Sequence, residues 1–329
     1  MTSRFSIVML AATLALGTVA QAANPTFARY TTAAFPGGLQ ESSLLAASAK
    51  ADFDGAGLAV DPTNGDIYLI DSDGADMILK ITTAGVVSVF VTDAQMFAAI
   101  DLVNGTSNAT AFNPRQLAFS ADGDLIVLGF PSTNTTHDSL LSITTAGVIT
   151  VVHTATDANA GILDGGGALV MVGNTAYVST DRTNGALAQV YSIDTNAAGP
   201  TAPATTFVSE VQMDAFYDVA VPGHTFVGTN FGINALATDG VDLYATVGSV
   251  SGTNDLLRIT TAGVISRPYS AAQLVAGLDA LTPAVGDVTV VSCAAVAITQ
   301  NGSIWLANAF GTGTFDDTVF RITAAGVFE

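Results

Sequence analysis

Five residues at matching places along the chain carry side-chain oxygens: Asp54, Asn113, Asp164, Asn230 and Ser292. Each stands four residues ahead of the residue that opens a short strand-like run, at Leu58, Leu117, Ala168, Asn234 and Val296. Two carboxylates, two amides and a hydroxyl drawn to one axis suit a hard cation, which takes oxygen ligands of mixed charge. Calcium is the expected ion outside a cell, and another divalent cation also fits. Such an ion polarises an ester or lactone carbonyl, and Asp164 or Asp54 would then activate water as general base. The same residue types also serve as turn formers that hydrogen-bond their own backbone ahead of a strand.

Positions so far apart meet only if the chain repeats. It does. DMILKITTAGVVSVFV (76–91), DSLLSITTAGVITVVH (138–153), NDLLRITTAGVISRPY (254–269) and DTVFRITAAGVFE (317–329) are near copies, and AQVYSIDTNAAG from Ala188 is a weaker one. The isoleucines before each turn are Ile81, Ile143, Ile193, Ile259 and Ile322. Self-similarity at a steady period means one supersecondary unit used repeatedly.

The first unit reads as four strands. Leu58–Val60 precedes a turn at Asp61-Pro62-Thr63-Asn64-Gly65; Asp66–Ile70 alternates toward a second strand; Asp71-Ser72-Asp73-Gly74 turns again. Met77–Thr82 and Val86–Val91, rich in β-branched residues, flank the hairpin at Ala84-Gly85. LAFSADGDLIVL, ALVMVGNTAYVST, LATDGVDLYATV and VAITQNGSIWLAN open the other four units. The expectation is an all-β fold, a five-bladed β-propeller of four-stranded antiparallel blades. The last copy stops inside its fourth strand, and Thr26–Thr32 is expected to pair with Asp317–Ala324 and close the ring, removing an exposed edge.

The units GLAVDPTNGDIYLIDSDGADMILKITTAG and NPRQLAFSADGDLIVL resemble the NHL-repeat propellers and the related SMP-30/gluconolactonase superfamily. RITTAGVIS is also similar to the repeat of the streptogramin-lyase propellers. The resemblance covers the mature chain at the level of blade pattern and implies the propeller fold. It also implies a central divalent metal held by acidic and Asn side chains, by residue type rather than by a matched motif. The Pro-Asn-Gly signature is missing, and its nearest equivalent is Asn113-Pro114-Arg115. His137, His153 and His224 fall at unrelated places in their units, so the histidines of a streptogramin-type lyase are not in place.

Composition narrows the partners. Twenty-eight acidic residues against 9 basic ones give a net charge of −19, a field that repels phosphate backbones and anionic lipid. No nucleic-acid or membrane partner is expected; a small molecule or protein ligand on the loop face is. Arg4, the apolar stretch Ile7–Ala20 and Ala20-Gln21-Ala22 read as a secretory signal over residues 1–22. Residues 23–329 are then one propeller domain, secreted or periplasmic. Cys293 is the lone cysteine, either a buried thiol or one half of an intermolecular bond, and its setting VVSCAAVAI favours burial.

Long connectors at 92–112, 154–163, 208–229 and 270–290 lead into the oxygen-bearing positions, with helix-like pieces at Asp93–Ile100 and Ala271–Leu278. Phe112, Phe216, Tyr217 and Phe231 either wall a pocket there or cap the core. Asp71-Ser72-Asp73-Gly74-Ala75-Asp76 is a second, peripheral candidate for a cation or else a solvated turn, and Trp305 reads as core. Two functions stay open: a binding module stapled by calcium, or a metal-dependent lactonase or esterase at the same centre.

Overall fold

The computed structural model describes residues 55–71, 76–104, 111–131, 139–154, 166–180, 188–197, 203–220, 232–248, 254–281, 288, 290–299, 301–310 and 318–329. Blade 1 holds β1 (Gly55–Val60), β2 (Ile67–Asp71), β3 (Met77–Ile81) and β4 (Val87–Thr92). Blade 2 holds β5 (Phe112–Phe119), β6 (Leu125–Pro131), β7 (Ser139–Ile143) and β8 (Ile149–Thr154). Blade 3 holds β9 (Gly166–Val172), β10 (Thr175–Thr180), β11 (Val190–Asp194) and β12 (Thr205–Val208). Blade 4 holds β13 (Gly232–Thr238), β14 (Leu243–Gly248), β15 (Asn254–Ile259) and β16 (Ile265–Tyr269). Blade 5 holds β17 (Ser292–Ile298), β18 (Ile304–Phe310) and β19 (Thr318–Ile322). Neighbours in sequence are neighbours in each antiparallel sheet, and the architecture is a five-bladed β-propeller.

Blade 5 has three strands among the described residues, and its chain then turns back. Arg321 and Glu329 exchange two backbone hydrogen bonds of 2.8 Å. Thr26–Thr32, the strand expected to complete this blade, lies outside the described residues.

The described residues divide into two compact units, those within 55–160 with 194–203, and those within 161–193 with 204–329. In the first, blades 1 and 2 share a core. Tyr68, Ile70 and Ile78 on one side meet Phe112, Leu117, Leu125, Val127 and Leu141 on the other. The opposite face of blade 1 carries its own cluster of Ile67, Leu69, Met77, Leu79 and Ile81. Burial on both faces explains why β2 and β7 are buried at every residue rather than at alternate ones. In the second unit, Val170, Tyr177, Leu236, Leu243 and Leu257 pack blade 3 on blade 4. Leu256, Val291, Cys293, Leu306 and Phe320 pack blade 4 on blade 5.

Each blade has two ends of different character. At the hairpin end the same turn recurs almost atom for atom. Gly85, Gly147, Gly263 and Gly326 have φ of 80°, 81°, 77° and 79°, a left-handed conformation that favours glycine. Each donates to the carbonyl of a threonine three residues earlier (Thr82, Thr144, Thr260, Thr323) at 2.7–2.8 Å. The threonine hydroxyl in turn accepts from the following valine N–H at 3.1 Å in all four blades. The second and third strands are pinned beside it by one repeated contact with three chemistries. Lys80 Nζ lies 2.9 Å from Asp66, Arg258 Nε donates to Asp242 at 2.7 Å, and Ser142 donates to Asp124 at 3.0 Å.

The other end carries the connectors. Three begin as helices: α1 (Asp93–Asn104), α2 (Glu210–Ala220) and α3 (Ala271–Asp279). All three use one capping device. Thr92, Ser209 and Ser270 accept from the N–H of Gln95, Gln212 and Gln273, whose side chains accept from the cap backbone. Each helix drives two large residues into the seam between its own blade and the next: Met96 and Ile100, Met213 and Tyr217, Leu274 and Leu278.

Candidate functional site

The connector end departs from the repeat, beginning with strand register. The inner strand of every blade shifts register near its start, once in blades 1 to 4 and twice in blade 5. Pro114 faces Gly129 and Gln116 faces Leu128, which leaves Arg115 extra. Gly167, Asn234 and Ala294 are extra in the same way in blades 3, 4 and 5, and blade 1 shifts register between Gly55 and Leu58. A bulge turns its extra residue out of the ladder, and Arg115, Gly167, Asn234 and Ala294 are all exposed. These four are the positions of the inner strands most open to a ligand, and the repeat pattern alone does not reveal them.

Counting from the bulge also places the oxygen-bearing residues. Asn113, opposite Phe130, and Ser292, opposite Phe310, occupy the same step, and both are half-buried. In blade 1 that step corresponds to Asp54. In blade 4 the step is Gly232, opposite Gly248, so Asn230 stands two residues ahead of it; in blade 3 Asp164 stands one ahead. Asp54, Asp164 and Asn230 themselves lie outside the described residues. Among the described residues no three His, Cys, Asp or Glu side chains gather as a metal-binding group. Of the peripheral candidate, Asp71 and Asp76 are described, and residues 72–75 between them are not.

Polar side chains are buried at this end in numbers. Thr154, Thr180 and Asn254 sit at strand termini here, Asn308 lies two residues inside the end of β18, and all four are buried. Several anchor loops. Asp93 accepts from Phe112 N–H at 2.7 Å, and burial, only partly offset by that bond, holds its carboxyl above the usual range. Glu210 accepts from the buried Ala188 N–H at 2.9 Å. Asp255 accepts from Ala271 N–H at the start of α3 and faces Arg267 at 3.4 Å. Burial, then the neighbouring Asp255 carboxylate, push the Tyr217 phenol far above its ordinary value. At pH 7 it is a neutral hydroxyl.

The aromatic residues cap the core. Phe112 is fully buried, Tyr217 is 3% exposed, and Phe216 packs against the same cluster; Phe231 lies outside the described residues. Cys293 is a buried free thiol, pushed up to about 12 by burial, which makes it inert as a nucleophile. Trp305 is half-buried beneath the Arg321 guanidinium, 5.4 Å from ring to carbon. Among the described residues no helix is long and apolar enough to cross a membrane.

No known family pattern matches this chain, and no curated protein does. Solved structures do. A gluconolactonase from Xanthomonas campestris is similar over 83% of this chain and 74% of its own, at 12% identity and a TM-score of 0.47. A protein of unknown function from Bacteroides thetaiotaomicron is similar over 88% of this chain and 59% of its own, at 12% identity and 0.51. A putative TolB from Agrobacterium tumefaciens is similar over 85% and 81%, at 13% identity and 0.50. The likenesses at 0.50 and 0.51 bear on the fold alone, and activity has to be argued from the site.

Proposed function

We propose that this protein is an exported binding module whose connector end holds a small ligand over a calcium-type cation. The observation that carries the reading is the contrast within each blade. Hairpin tips of four blades repeat with the same bonds, whereas the inner strands enter through bulges that in blades 2 to 5 leave an exposed residue close to an oxygen-bearing position. The proposed ligands of the cation are Asp54, Asn113, Asp164, Asn230 and Ser292, with main-chain carbonyls and water completing the shell. Asn113 and Ser292 fit that role by step and by partial exposure. The offset of Asp164 and Asn230 calls for longer reach from their loops. The signal-like segment at residues 1–22 and the absence of any disulfide partner for Cys293 suit export of a chain stabilised by its core alone.

The second reading, a lactonase or esterase of the kind the NHL and SMP-30 resemblance implies, uses the same residues. The ion would polarise the carbonyl, and Asp164 or Asp54 would take a proton from water. A panel of lactones and aryl esters, assayed with calcium, zinc or manganese, separates the two. The binding reading expects no turnover. Turnover that Asp164→Asn abolishes, with the circular dichroism spectrum unchanged, would replace it with the enzyme.

A further inference from the structure

One basic residue at the connector end is matched by no acid. Five of the nine basic residues, Lys80, Arg115, Arg258, Arg267 and Arg321, lie among the described residues. Four of the five are ion-paired: Lys80 with Asp66, Arg258 with Asp242, Arg267 with Asp255 and Arg321 with Glu329. Arg115 is exposed, and among the described residues no carboxylate pairs with it. Acidic residues outnumber basic ones 28 to 9, so a cation left without one is the exception.

The fold holds this guanidinium in place. Arg115 is the bulge residue of β5, and it lies over the ring of Phe130, 4.3 Å from the centroid. Phe130 faces Asn113 directly across the ladder, so the two side chains stand on one face of the sheet. Stacking brings the Arg115 guanidinium to that same face. The strands under it cannot spread or slide freely: a Cβ on Gly129, beside Phe130, would collide with the Asn113 carbonyl oxygen and the Phe112 ring. A guanidinium stacked on a ring keeps its N–H groups in one plane, as a fork that matches the two oxygens of a carboxylate. The neutral amide of Asn113 adds a further donor on the same face. Blades 3, 4 and 5 have Gly167, Asn234 and Ala294 at the bulge and no charge there, so this arrangement is particular to blade 2.

We infer that Arg115, stacked on Phe130 beside Asn113, binds the carboxylate of a small ligand. The inference rests on the proposed binding role and names the charged group of its ligand; it does not depend on the cation. One guanidinium balances one negative charge, and a net charge of −19 disfavours a phosphate dianion more than a monocarboxylate. Acidic residues farther away than about 8 Å are largely screened at physiological salt.

The test is a titration of the 15N-labelled full chain in EDTA, with benzoate, its neutral isostere benzamide, and inorganic phosphate in separate arms. The Arg115 Nε–H and the Asn113 side-chain NH2 signals, located by through-bond assignment, are followed. The expected result is a saturable shift of both with benzoate and of neither with the other two probes. Read at Asn113, benzoate binding should weaken about tenfold in Arg115→Gln. It should weaken less in Arg115→Lys, which keeps the charge and loses the fork. The Nε–H of the ion-paired Arg321 should stay still throughout. Equal shifts at Arg115 and Arg321, benzamide or phosphate binding as tight as benzoate, or unchanged benzoate binding in Arg115→Gln would each overturn the inference. So would no shift with benzoate up to about 100 mM, which would leave the guanidinium to a carboxylate of this chain. Calcium binding is not part of any arm, so failure here would leave the proposed cation to its own test.

Discussion

The two ends of a blade obey different rules. At the hairpin end, four blades share a glycine φ within a few degrees and the same threonine bonds. The valines at the tips, Val86, Val148, Val264 and Val327, are 54–61% exposed. At the connector end the blades share a bulge and then diverge: Arg115 on Phe130, Asn234 on Gly248, Cys293 held by the amide of Asn254. Repetition marks the scaffold. Variation at a fixed step marks where the blades differ in chemistry.

The sharpest strain on this comparison comes from the connector end of the fifth blade. Deleting residues 23–35 is expected to remove its fourth strand and lower the melting temperature by more than about 5 °C. An unchanged melting curve would show that the blade closes by other means. Next in size is a pair of substitutions at opposite ends. Tyr217→Ala, which empties the seam under α2, should cost about 3–5 kcal/mol in urea denaturation. Val264→Ala at a hairpin tip should stay within about 0.5 kcal/mol. Similar losses from both would erase the distinction.

The smallest effect belongs to the hairpin end. The Asp66 carboxylate, chiefly by hydrogen bonding, raises the Lys80 ammonium above its ordinary value of 10.5. A raised lysine stabilises the fold below its unfolded pKa and loses that contribution as pH climbs through the folded one. Lys80→Met should therefore cost under about 1 kcal/mol at pH 7. The gap from wild type should close above pH 10.5. A constant difference across that range would assign the effect to packing over the Tyr68 ring, 5.4 Å away.

The scaffold was legible in the sequence because glycine at positive φ and β-branched strands leave marks at short range. The four-strand reading of GLAVDPTNGDIYLIDSDGADMILKITTAG matches β1 to β4 within a few residues. The apolar setting VVSCAAVAI favours burial of Cys293 over a bond between chains, and the thiol is buried. Two things escaped. Helix α2 was passed over, although Ser209-Glu210-Val211-Gln212 carries the same capping signal as Ser270 and Gln273. The bulges were hidden because an extra residue in one strand changes register only against its partner, and a single strand read alone has no partner. That is why Asn113 and Ser292 were found at one step, while in blade 4 the step falls on Gly232 rather than Asn230.

The central claim, that oxygen-bearing residues at the connector end share a cation, is tested most directly by thermal melts of the full chain. The melts compare saturating calcium with excess chelator, in wild type and in Asp164→Asn. Calcium at about 100 times its dissociation constant should stabilise the wild type by about 2.7 kcal/mol and the variant by much less. Superimposable curves for the wild type with and without the ion would contradict the account.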